Sequence, residues 1–98
     1  MTAPPNPLPE GAQSYKRTPS FTEETVPAGL LNDHATKDGT WGLIEVESGR
    51  LLYRVIDPRR VPSERLLTPD DPPGIVEPTI VHNVTPVGPV SFHVSFWR

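Results

Sequence analysis

Proline sets the limits on what this chain can form. Fourteen prolines and seven glycines are scattered among short apolar runs along its 98 residues. A proline inside a helix removes a backbone donor and clashes with the preceding turn. No stretch is left that reads as a long amphipathic helix, whereas short strands joined by many turns suit the spacing. The length fits one domain. Pro4, Pro5, Pro7 and Pro9 crowd the start with almost nothing apolar beside them, so residues 1–13 are expected to be an extended, disordered Pro-rich tail and residues 14–98 the folded domain.

Within that domain the clearest strand signal begins at Trp41. Trp41, Leu43, Glu45 and Glu47 alternate with Gly42, Ile44, Val46 and Ser48, the two-residue repeat of a β-strand. Ser48-Gly49 then has the chemistry of a turn, and Leu51 to Ile56 reads as the returning arm of a hairpin. The last strand, Val90 to Trp97, puts Val90, Phe92, Val94 and Phe96 on one face and Ser91, His93, Ser95 and Trp97 on the other. Between these, Tyr15 to Phe21 reads as an edge strand, and Val26 to Leu31 as a strand leading to His34. Glu64 to Leu67, Gly74 to Pro78 and Thr79 to Val84 complete seven or eight strands separated by turns at Asp70 to Gly74 and Val87 to Pro89. A closed all-β barrel or jelly roll is the expected architecture, since closure removes exposed edges.

Charge and composition exclude several classes of function. Nine basic against twelve acidic residues give a formal charge of −3, which leaves no footprint for nucleic acid. The adjacent pair Arg59-Arg60 follows Asp57-Pro58 in a loop and reads as solvated surface. Without cysteine there is no disulfide, no thiolate nucleophile and no thiolate metal ligand. No run has the pattern of a signal peptide or the length of a membrane span, so the cytoplasm is the expected compartment.

Chemistry in a small barrel collects at its mouth, where strands distant in sequence converge. His34 and His82 lie on either side of the central hairpin, and neutral imidazole is a common ligand for zinc, nickel or iron. A divalent metal at His34 and His82 is one expectation. The other is a partly exposed, hydrogen-bonded pair with no metal. Trp41, Tyr53, Glu77 and His93 are the residues expected to flank them as a ligand pocket. No Ser-His-Asp order or carboxylate pair suggests catalysis without a metal.

The segments Tyr15 to Pro19, Val26 to Leu31, Asp33 to Lys37, Gly39 to Gly42, Gly49 to Tyr53, Pro73 to Pro78, His82 and Gly88 to Arg98 together resemble the small cupin-like domain of tellurite-resistance protein B-like (TehB-like) proteins. The resemblance implies a double-stranded β-helix, found alone or ahead of a methyltransferase domain. With no glycine-rich nucleotide-binding motif here, the stand-alone form is expected. It also implies that His34 stands at the first histidine of the cupin metal motif and His82 at the single histidine of the second. Thr36 occupies the place of the second histidine of His-x-His, Gly42 lies near the usual glutamate, and Ser95 stands where related domains carry an acidic residue. The functions this suggests are a module binding a small molecule or divalent metal in oxyanion or nitrosative stress, a metal-dependent oxygenase or isomerase, or a regulatory partner of a separate protein. A homodimer is expected, through the exposed-strand candidates Tyr15 to Phe21 and Val90 to Trp97.

Overall fold

The computed structural model describes residues 8–98. The domain is all-β apart from one short helical turn, and no helix among the described residues is long and apolar enough to cross a membrane. In chain order the elements are β1 (Ser14–Arg17), β2 (Phe21–Thr22), α1 (Ala28–Leu31), β3 (Trp41–Val55), β4 (Ser63–Leu67), β5 (Gly74–Val76) and β6 (His82–Trp97). The strands form one antiparallel sheet in the order β1-β6-β3-β4, with β2 also on β6 and β5 also on β3.

Two long strands, β3 and β6, organise everything else. Trp41 to Val46 pairs with Phe92 to Trp97, and Leu51 to Val55 pairs with His82 to Pro86. The register shifts between Val46 and Ser48 and again between Gly49 and Leu51. At the second shift β6 carries residues 87–89 opposite the single residue 50 of β3, so both strands bend there. Gly49 and Gly88 have φ of 77° at this corner, a left-handed conformation that suits residues without a Cβ. The hairpin expected at Ser48-Gly49 and the turn expected at Val87 to Pro89 are therefore bends inside continuous strands. Among the described residues six strands are present where seven or eight were expected.

Because of the bend, the two halves of the sheet share one core. Ile44, Val76, Phe92 and Val94 from one half pack in the same cluster as Leu51, Tyr53, Leu67 and Val84 from the other, and Phe92, Leu51 and Leu67 are fully buried. A second cluster lies on the opposite face, where Leu43, Trp41 and Trp97 meet Leu8 and Ala12.

That second cluster bears on the expected tail. Residues 1–7 lie outside the described part, but Leu8 and Ala12 are buried and Gln13 exchanges backbone hydrogen bonds with Arg98. The apolar face of Leu43 gives these two small anchors a surface on which to dry, despite the prolines around them.

Two other expectations change. Val26 to Leu31 is not a strand; Pro27 sits at the N-cap of α1, where its fixed φ suits a helix start. Val90 to Trp97 is not an open edge, since β6 is paired on both sides, whereas β1 ends the sheet.

Candidate functional site

The site is built from one cross-strand pair. The backbone N–H of His34 donates to the carbonyl of His82, and the N–H of His82 to the carbonyl of His34, both at 2.9 Å. Residues that exchange both hydrogen bonds in an antiparallel pair project their side chains to the same face. The two rings accordingly lie with centroids 4.1 Å apart at an interplanar angle of 59°.

Each ring is held by its own backbone. Nδ1 of His34 is 2.9 Å from the carbonyl of Asn32 and Nδ1 of His82 is 3.0 Å from that of Ile80. A carbonyl only accepts, so the proton of each neutral ring sits on Nδ1 and Nε2 keeps a lone pair. Burial pushes the pKa of His82 down and His34 adds to the fall, against the Ile80 carbonyl, which raises it. The folded state thus binds fewer protons here than the unfolded state once the pH falls below the ordinary value of 6.5. Stability should therefore decline as pH is lowered from about 7.5 to about 5.5, and His82→Gln should flatten that slope in melting curves across this range. An equal slope in the variant would assign the titration to another group.

Asp57 fixes the segment that carries His82. Its buried carboxylate accepts from the N–H, Nε and Nη2 of Arg59 and from the N–H of Val81, all within 2.8–3.0 Å, which holds its pKa far below the usual carboxylate range. Arg59 also donates to the carbonyl of Thr79, a β-branched residue at φ 66°, a conformation that the surrounding bonds must enforce. Arg60 pairs with Glu77 at 2.7 Å. The arginine pair is thus structural, and not simply solvated.

The two imidazoles open into a cavity of about 480 Å³ between the sheet and the segment 30–40. Its interior is apolar, from Gly42 and Ile44 on β3, Val76 on β5 and Val84, Phe92, Val94 and Phe96 on β6. Leu30, Thr36 and Thr40 close one side, with the Thr36 hydroxyl donating to the carbonyl of Thr40 at 2.7 Å. Lys16, Lys37 and Arg98 also line it.

Of the other expected pocket residues, Tyr53 adjoins this pair, and Trp41, Glu77 and His93 are drawn elsewhere. Tyr53 touches His82 edge-on, with ring centroids 5.6 Å apart, from within the core. Its hydroxyl donates to the carbonyl of Ile75 at 2.8 Å, and burial, with Glu77 second, pushes its pKa up to about 12, so it stays neutral. Glu77 is taken up by Arg60. Trp41 lies in the cluster on the opposite face. His93 is on that face too, because residues 92 and 94 of the same strand point into the core. Its Nδ1 and Nε2 are bonded to Glu47 at 2.7 Å and Glu45 at 2.9 Å. Hydrogen bonds from Ser91, His93 and Ser20 hold the pKa of Glu47 down to about 2. Both its nitrogens face carboxylates on that side of the sheet, away from the His34 and His82 pair.

For the expected divalent metal, the two free Nε2 atoms are half of a four-ligand set. Among the described residues no third histidine, aspartate or glutamate joins them, and the nearby cations disfavour a bare cation. The residues do not by themselves fit a tightly held metal ion.

An all-β domain with a bent two-strand spine, an apolar cavity and a histidine pair at its wall is the class these features define. The chain belongs to the TehB-like domain family, whose profile matches residues 16–94. It is 35% identical over 71 residues to the probable S-adenosyl-L-methionine-dependent methyltransferase TehB of Haemophilus influenzae strain KW20/Rd, a match covering 71% of this chain and 25% of that protein. The same protein of strain 10810 is 34% identical over the same coverage. The chain thus spans about a quarter of the length of these relatives. Among solved structures, that of TehB from Haemophilus influenzae superposes with a TM-score of 0.81 at 28% identity, over 88% of this chain and 31% of that one. A protein from E. coli strain K12 superposes with a TM-score of 0.80 at 20% identity, over 93% and 94% of the two chains, and shares the fold.

Proposed function

We propose that this domain is a cupin-like barrel whose function is to bind a small organic molecule in the cavity beside His34 and His82. The observation that carries this reading is the cavity itself: about 480 Å³, within the size range of small-molecule sites, with an apolar wall and a few convergent polar groups. Two neutral Nε2 acceptors at one wall supply direction to a ligand that the apolar residues hold by burial. Support for a place in tellurite resistance comes from membership of the TehB-like family. The longer relatives are named as probable S-adenosyl-L-methionine-dependent methyltransferases, and a role beside such an enzyme is part of the proposal. The proposal includes a homodimer, for which the outer edge of β1, at one end of the sheet order, is a pairing surface.

Amide NMR spectra recorded during titration with indole, a neutral apolar probe, test the reading. Saturable shifts are expected at Gly42, Val76, Val84 and Phe96. Ala35→Trp, at an exposed position on the cavity wall, should abolish them while leaving the rest of the spectrum in place. Shifts confined to the Trp41 and Trp97 face would defeat the proposal. Zinc chloride added to the same sample tests the metal alternative: binding lost in both His34→Ala and His82→Ala would require a metal at the pair.

A further inference from the structure

We infer that the ligand of this cavity is an amphipathic anion, with one acidic head group at Lys16, Lys37 and Arg98 and an apolar body against Ile44, Val84, Phe92 and Val94; this rests on the binding function proposed above. Acidic residues outnumber basic ones in the chain, twelve to nine, yet no Asp or Glu among the described residues lines the cavity, while three cationic side chains do. Five of the twelve acids are engaged elsewhere. Glu47 lies beside Arg17, Glu64 beside Arg54, Asp57 beside Arg59 and Glu77 beside Arg60, and Glu45 bonds His93. Lys16 and Lys37 form no salt bridge among the described residues, and the Arg98 guanidinium lies 3.9 Å above the Tyr15 ring, with no carboxylate partner.

Like charges gathered around one cavity repel each other, and an anion is what relieves that repulsion. The position of the cations on the exposed wall, with the apolar row of β6 behind them, sets the orientation of the ligand: head outward, body inward. An inorganic oxyanion would satisfy the cations but leave the apolar interior unfilled, and a cationic ligand would meet no carboxylate. The two Nε2 atoms are then available to a hydroxyl or amide donor along the body of the ligand. A molecule with a single carboxylate or phosphate and an alkyl or aromatic body matches all three features of the wall.

Isothermal titration of the full chain with octanoate, octan-1-ol, octylammonium and inorganic phosphate tests this. Octanoate should bind at least about tenfold more tightly than octan-1-ol, weaken as salt is raised, and compete with indole. Octylammonium and phosphate should bind far more weakly. Lys16, Lys37 and Arg98 are exposed, so the triple variant Lys16→Gln, Lys37→Gln, Arg98→Gln should fold; it should reduce octanoate to the affinity of octan-1-ol and leave octan-1-ol unchanged. Equal affinities for octanoate and octan-1-ol, or a preference surviving in the triple variant, would overturn the anionic assignment while leaving the cavity as a binding site. No binding of indole or octan-1-ol either would overturn the site itself.

Discussion

Phe92→Ala is expected to remove about 3–5 kcal/mol of folding stability, the cost of emptying an aromatic site in a core that cannot collapse around the loss. The ring is fully buried, stacks edge-on against Phe21 with centroids 5.7 Å apart, and belongs to the cluster that joins both halves of the bent sheet. Domains of this size are held together by roughly 5–15 kcal/mol in total, so the variant should be partly unfolded near body temperature. Urea unfolding followed by tryptophan fluorescence measures it. A loss under about 1 kcal/mol would mean that the two halves do not share a core as described.

Gly49→Ala should be nearly as damaging, for a different reason. A Cβ at Gly49 would lie 2.0 Å from the carbonyl oxygen of Pro89 and 2.8 Å from Cα of Val90, both backbone atoms that cannot rotate away. The residue also sits at φ 77°. Gly88 provides the internal control, because it has the same φ but nothing within 4 Å of its missing Cβ. Gly88→Ala should therefore cost only the left-handed penalty, about 1–2 kcal/mol. Gly49→Ala should exceed it by about 2 kcal/mol or more, since β3 and β6 must separate at the corner to admit the methyl group. Equal losses in the two variants would show that the corner is looser than the register of these strands implies.

That same corner shows where the sequence could be read and where it could not. Alternation at Trp41 to Ser48 and at Val90 to Trp97 marked both strands and the apolar rows that now form the core. Ser48-Gly49 was indistinguishable from a hairpin turn, because a left-handed glycine permits either a reversal or a bulge. The choice is made by β6, about forty residues away, which pairs with both arms of β3 and so keeps them from pairing with each other. Non-local pairing of this kind leaves no local signature.

The histidines teach a similar lesson. The convergence of His34 and His82 was expected from their placement on either side of a central hairpin, and the structure brings them together through a backbone bridge. His93 was expected beside them, although its own strand's alternation sets it opposite Phe92 and Val94, the row that points into the core. Parity along one strand should have outweighed residue type. Glu77 was assigned by chemistry alone, and a salt bridge from Arg60 claims it. Asp57 was read only as part of a loop before Arg59-Arg60; it is buried, and the N–H of Val81, 24 residues on, completes its shell of donors. Lys16, Lys37 and Arg98 carried no pattern that links them, since only the folded sheet brings β1, Arg98 after β6 and the segment 30–40 around one cavity.

The most direct measurement of the central claim uses the three histidines as reporters. Long-range ¹H–¹⁵N spectra resolve the ring nitrogens of His34, His82 and His93, and octanoate can be titrated while all three are followed. The Nε2 resonances of His34 and His82 should move together and saturate at one dissociation constant, with His93, locked between Glu45 and Glu47 on the other face, unmoved. Movement of His93 with the pair silent would place the binding site on the wrong side of the sheet and contradict the account.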